Sequence, residues 1–246
     1  MKKKKIHFTC FKALIQRIYQ DNICVLKDIW LNKYPNEEPK KHTFLEKLLL
    51  TPLLIFRAFS LSNFVSFFSP SGNNAYLFID LYILFWIILI FICLFFSPFS
   101  PLLTVILVSY RVIDIISYQL CVLLIDSQRP SWKLASIRRS FLFSFLNLLE
   151  ILAAFAILYL TIGNIIENRP DGLRIDSPGR AFYYSLVTMA TLGYGEFIPA
   201  DDNSRYIVTA ELLTEILFIL TIIPAFVSNI TNQLGSRQYR DPDKRK

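Results

Sequence analysis

From Leu81 to Tyr110 the chain carries no charged residue, and a second charge-free stretch runs from Ile216 to Ser236. Both are long enough for the ~20-residue helix that crosses the hydrocarbon of a bilayer. In that medium backbone groups must bond to one another, so a spanning segment of this kind is a helix. Composition agrees: 54% of residues are hydrophobic and 18% charged, against about 25% charged in soluble domains. A soluble enzyme is therefore not expected, and no cofactor. The chain has 7 glycines, without a G-x-G-x-x-G or Walker pattern, which sets nucleotide chemistry aside. Cys10, Cys24, Cys93 and Cys121 are far apart, so neither zinc nor a disulfide framework is indicated.

The net charge of +7 could suggest nucleic acid, but its distribution points to membrane topology and to no nucleic-acid partner. Residues 1–73 carry 12 Lys and Arg, 126–140 carry 4 and 235–246 carry 5, whereas 163–206 carry 4 beside 6 acidic residues. The positive-inside rule puts both termini in the cytoplasm of a cell-membrane protein. The N-terminus lacks a continuous apolar core after its lysines and is read as retained. Phe11, Leu14, Ile15, Ile18, Val25, Leu26 and Ile29 follow helical spacing up to the Pro35–Pro39 break. This amphipathic helix is expected either on anionic lipid or on a cytosolic surface.

An all-α integral membrane protein follows, with four transmembrane helices at about 75–97, 101–125, 141–163 and 204–230. Residues 44–70 read as an interfacial helix. Ser97-Pro98-Phe99-Ser100-Pro101 makes a hairpin between the first two spans, since one proline ends a helix and the other opens the next. Four regions result: an interfacial one at 1–73, a two-helix hairpin with its basic loop at 74–140, a functional membrane domain at 141–232 and a short basic tail at 233–246.

Between the last two spans lies SPGRAFYYSLVTMATLGYGEFIPADD, too long for a turn and too polar for a span. Ser177 is a plausible N-cap with Pro178 at the first helical position, and a short helix is expected to reach about Ala190, where Gly193 and Gly195 follow. Non-helical backbone at this depth must be buried in protein or line a polar cavity, so the segment reads as re-entrant. Thr191-Leu192-Gly193-Tyr194-Gly195-Glu196 with Pro199 resembles the selectivity filter of potassium channels, whose pattern is T-V-G-Y-G-D. That resemblance implies potassium-selective, passive conduction by a homotetramer, because one strand per chain needs four to form a ring of carbonyls. It places K+ at the carbonyls of Thr191, Leu192, Gly193 and Tyr194, with Gly195 completing the filter and Tyr194 bracing it sideways. It also makes Tyr184 and Thr188 filter supports and Glu196 an outer-mouth charge. Val187 stands where some members are acidic. Leu192 and Glu196 depart from the pattern yet keep its backbone chemistry and charge.

The last span extends the resemblance. Ile223-Pro224-Ala225-Phe226-Val227-Ser228-Asn229 looks like the inner-helix end of voltage-gated potassium channels, which makes Pro224 a kink and Val227 a gate. An ordinary membrane-helix kink is the alternative for Pro224. Glu215 falls at the family's hinge glycine. Glu211 and Glu215, four apart, either serve the ion pathway or are buried behind the filter, and the second is favoured. Arg111 and Asp114 are expected to pair within one helix. One arginine is too few for a voltage sensor, and the tail after Asn229 is too short for a regulatory domain. The rivals are a potassium-transporter subunit and a non-conducting scaffold.

Overall fold

The computed structural model describes residues 30, 43–60, 74–124, 137–169 and 172–220. The expected N-terminal amphipathic helix, residues 126–136 of the basic loop, Pro224, Val227 and the tail lie outside the described residues. Two compact units divide the chain, Met1–Tyr82 and Ile83–Lys246.

In the first unit, helix α1 spans Phe44–Phe59. Its start is a capping box: the Thr43 hydroxyl accepts from the Glu46 amide, and Glu46 accepts from the Thr43 amide. The T-x-x-E signature was present in the sequence, and it satisfies two amides that a helix start otherwise leaves unpaired. Pro52 sits inside α1 and cannot donate to the preceding turn. Beside it the Thr51 hydroxyl donates to the Lys47 carbonyl at 2.6 Å. Of the helix expected over 44–70, the part from Phe44 to Phe59 is helical and Ser60 is extended.

Helix α2, Asn74–Phe96, begins in the first unit and continues into the second. Its 23 residues make a rod of about 34 Å at the α-helical rise. Ser97 closes it with φ +44, a left-handed residue of the sort that ends helices, and Pro101 opens α3, Pro101–Leu124. The two-proline hairpin of the sequence is therefore formed. Helix α4 is Ile137–Thr161. Strand β1, Ile165–Glu167, pairs antiparallel with β2, Phe197–Pro199, and helix α5, Pro178–Met189, lies between them in sequence. A last helix, α6, is described over 202–220.

The core of the second unit is α4, which packs against both α3 and α5. Ala153, Ala154 and Ala156 are completely buried. In a bilayer apolar burial gives helices little reason to associate, and small side chains let backbones approach closely enough for dispersion to do so. Among the described residues two helices are long and apolar enough to cross a membrane, Pro101–Cys121 and Phe141–Thr161, with a shorter apolar stretch at Asp80–Phe96.

Candidate functional site

Helix α5 begins as its sequence dictates. The Ser177 hydroxyl accepts from the Arg180 amide at 3.4 Å and Pro178 occupies the first turn. Its end is more informative. The Thr191 amide donates to the Thr188 carbonyl at 2.9 Å and the Leu192 amide to the Val187 carbonyl at 3.1 Å, with Thr191 at φ +52. This pair of bonds is a Schellman motif, whose left-handed position is ordinarily glycine. A β-branched residue there is strained. Thr191 therefore occupies a backbone position that helix stability alone would give to another residue.

Beyond it the backbone alternates. Thr191, Gly193 and Gly195 have φ of +52, +58 and +70, whereas Leu192 and Tyr194 do not enter the left-handed region. Nothing lies within 4 Å of where a Cβ would stand on Gly193 or Gly195, so dihedral angle rather than space calls for glycine at both. Leu192 and Tyr194 are 53% and 66% exposed on the single chain. Val187, Thr188, Thr191, Tyr194, Phe197 and Leu212 contribute to a cleft of about 340 Å³ between α5, this strand and α6.

Rings pack behind the strand. Tyr184 is buried and meets Tyr159 of α4 edge-on at 5.0 Å and Phe197 of β2 at 6.3 Å. Tyr183 donates to Glu196 at 3.3 Å. The β1–β2 ladder, with Ile165 opposite Pro199 and Glu167 opposite Phe197, ties the strand's exit to the loop after α4. It continues where the Asn168 amide donates to the Glu196 carbonyl at 2.8 Å. The Asn168 carboxamide reaches one residue further, to the Gly195 carbonyl, at 3.0 Å. At the start of α6 the Asp201 carboxylate accepts from the Ser204 amide at 2.8 Å and from its hydroxyl at 2.6 Å. These donors hold the Asp201 carboxyl below the usual aspartate range.

Glu211 joins three helices. Fully buried on α6, it accepts from the Tyr159 hydroxyl of α4 and the Ser185 hydroxyl of α5, and Ser185 also lies 3.0 Å from the Leu152 carbonyl. Glu215, one turn on, is 2% exposed, and neither of its oxygens has a hydrogen-bond partner among the described residues. Further away, Arg111 does pair with Asp114 on its own helix at 3.0 Å, but it also crosses to Glu150 of α4 at 2.6 Å and stacks on Trp86 at 5.1 Å. The single intrahelical pair expected from sequence is therefore a buried cluster. A guanidinium held away from water needs more than one partner, and spacing along one helix shows only the local one.

Of the residues singled out in the sequence, the structure brings Tyr184, Thr188 and Thr191–Glu196 together at the end of α5. It sets Glu211 against Ser185 of α5 and Tyr159 of α4, with Glu215 buried one turn further along α6. Sequence reasoning did not reach Tyr159, Ser185 or Asn168. Tyr159 and Ser185 are polar groups within or beside apolar helices, a recognised signal in a membrane; for Asn168 there is none beyond its place in the loop. Among the described residues no group of three or more His, Cys, Asp or Glu is arranged to hold a metal. The oxygens available for a cation near the strand are backbone carbonyls, the Thr191 hydroxyl and the Glu196 carboxylate.

Comparison with known proteins agrees with this arrangement. The ion channel family model matches residues 146–232. The inward rectifier potassium channel Kirbac3.1 of Paramagnetospirillum magnetotacticum is 43% identical over 65 residues, covering 26% of this chain and 21% of that one. The potassium voltage-gated channel protein Shal of Drosophila melanogaster is 33% identical over 93 residues, 38% and 16% of the two chains. The voltage-gated potassium channel Kch of Escherichia coli is 32% identical over 77 residues, 31% and 17%. The chain thus spans about a fifth or less of the length of these curated relatives. No solved structure matches it. Over residues 146–232 the chain matches the ion channel family model, and what it shares with these relatives has the character of a potassium-channel pore-loop module.

Proposed function

We propose that this chain forms a potassium-selective channel in which four copies each contribute the strand Thr191–Gly195 to one pore. The observation that carries this reading is the left-handed backbone at every second residue, beginning at Thr191. Alternating the sign of φ along a strand lets successive peptide planes turn their carbonyls to one side, as stacked rings of cation ligands require. The strained Thr191 fits the same reading, because a glycine there would ease the helix end but remove the hydroxyl from the innermost ring. Backbone strain kept at such a position points to function.

A tetramer is the assembly this reading requires. One strand cannot surround an ion, and the exposed Leu192 and Tyr194 would be covered by neighbouring copies. In this assembly α3, α4, α2 and the helix beginning at 202 are the four spans, both termini face the cytoplasm, and the loop containing β1 faces outward. The membrane is the cell membrane. Glu211 and Glu215 are buried within the single chain, whereas the ion cavity lies between chains, so both act behind the pore rather than in it. Arg111 is locked by two carboxylates and is not a moving gating charge. Pro224 and Val227 remain the proposed kink and gate. The C-terminal, negative end of the α5 dipole favours a cation at the pore centre.

The test is flux through purified protein in liposomes. Passive K+ efflux that greatly exceeds Na+ efflux, and does not saturate like coupled transport, is expected. Saturable coupled flux would identify a transporter subunit, and absence of flux a scaffold.

A further inference from the structure

We infer that Asn168 is a positioning residue which withdraws the Gly195 carbonyl from the ion file and thereby fixes the outer end of the filter. The inference rests on the pore reading above and deepens it. Asn168 takes the next register position after the Glu167–Phe197 pair of the β1–β2 ladder. Its amide bonds to the Glu196 carbonyl at 2.8 Å and its side chain to the Gly195 carbonyl at 3.0 Å. Two adjacent carbonyls at the strand's exit are therefore held by one residue of the loop after α4. A carbonyl engaged by a carboxamide has its dipole turned toward that donor, so it is a poor ligand for a cation on the other side. The outermost ring of ion ligands is then Tyr194.

The loop that carries Asn168 is itself braced. Arg180 of α5 pairs with Glu167 at 3.2 Å. Glu167 donates its amide to the Leu173 carbonyl at 2.9 Å, and Arg174 donates to the Leu160 carbonyl at 3.1 Å. The strand's exit is thus anchored to both the loop and the start of α5. Gly195 sits at φ +70 and nothing lies within 4 Å of where its Cβ would stand, so no side chain of its own holds its peptide plane. Releasing Asn168 frees that plane to rotate, and a rotated carbonyl at the outer end interrupts conduction.

Two readouts test this, one of which does not need ion flux. Gly195-Glu196 is the chain's single Gly-Glu pair, so labelling glycine carbonyls with 13C and glutamate nitrogen with 15N isolates the Gly195 carbonyl by solid-state NMR in liposomes. In Asn168→Ala, and in Asn168→Asp, which keeps the shape but loses the donor, that resonance should move upfield. Single-channel records of the same variants should show conducting bursts about fivefold shorter, the factor that one neutral hydrogen bond is worth. The exposed position of Asn168 and its retained backbone amide leave folding intact. An unmoved Gly195 resonance overturns the inference, as do burst lengths within twofold of the wild type when the resonance has moved. Absence of K+ current in the wild type would instead sink the pore reading, while the resonance still decides whether the clamp exists.

Discussion

At the scale of single residues, backbone angle separates the filter positions from their surroundings. Gly193→Ala and Gly195→Ala meet no neighbour, so their cost is that of a left-handed L-residue, about 1–2 kcal/mol each. Both variants should insert and assemble yet lose K+ over Na+ selectivity in reversal-potential measurements; wild-type selectivity would refute the filter assignment. Thr191→Gly makes the opposite trade. It should stabilise the end of α5 by about 1 kcal/mol, as a glycine relieves a strained left-handed position, and still impair conduction by removing the hydroxyl. A thermal melt in detergent and a flux assay on one preparation would show both. Glu215→Gln should change open probability with little effect on unitary conductance, since the side chain is buried within the chain. A large fall in unitary conductance at constant open probability would place Glu215 in the cavity.

At the scale of elements, charged groups fasten helices that apolar surface alone would leave free to rotate. Removing one member of the Arg111–Asp114–Glu150 cluster strands a buried charge. Arg111→Met should therefore lower stability in detergent by about 3 kcal/mol or more, whereas replacing all three by apolar residues of similar volume should restore most of it. Equal melting of the single and triple variants would refute this account. The cap of α6 behaves differently because it faces water. The Asp201 carboxyl titrates lower when folded than when unfolded, so its contribution is complete above the ordinary aspartate value and disappears as pH falls through the lower folded value. Hydrogen exchange of the first turn of α6 should accelerate over that acid range in the wild type and show no such dependence in Asp201→Asn.

For the whole molecule, the prediction is a closed ring. Native mass spectrometry in detergent should give four chains, and a monomer that conducts would contradict the assembly. Topology is tested at Arg169, whose side chain is 73% exposed. Arg169→Cys should react with an impermeant reagent added outside and not with one confined to the cytoplasmic side. The opposite labelling would reverse the orientation.

The sequence by itself determined the helical membrane class, the hairpin at Pro98 and Pro101, the start of α5 at Ser177 and the use of glycine at 193 and 195, whereas the left-handed Thr191 that begins the alternation came from the structure. Apart from Thr191, each of these is written locally, in hydrophobic run length, proline and capping chemistry, or φ preference. Helix α1 was expected from its apolar residues over 44–70, while its capping box and its end at Phe59 were seen only in the structure. Tertiary structure alone decided which polar groups meet. Arg111 finds Glu150 39 residues away, Tyr159 finds Glu211 at 52, Ser185 finds Glu211 at 26 and Asn168 finds Gly195 at 27. A helix that is apolar nearly all round, such as α2, does not announce which side faces its neighbours, because lipid and protein interior are equally acceptable to Leu, Ile and Phe. Rotation and register are set when the few polar side chains must find partners away from water, and those partners are not neighbours in the chain.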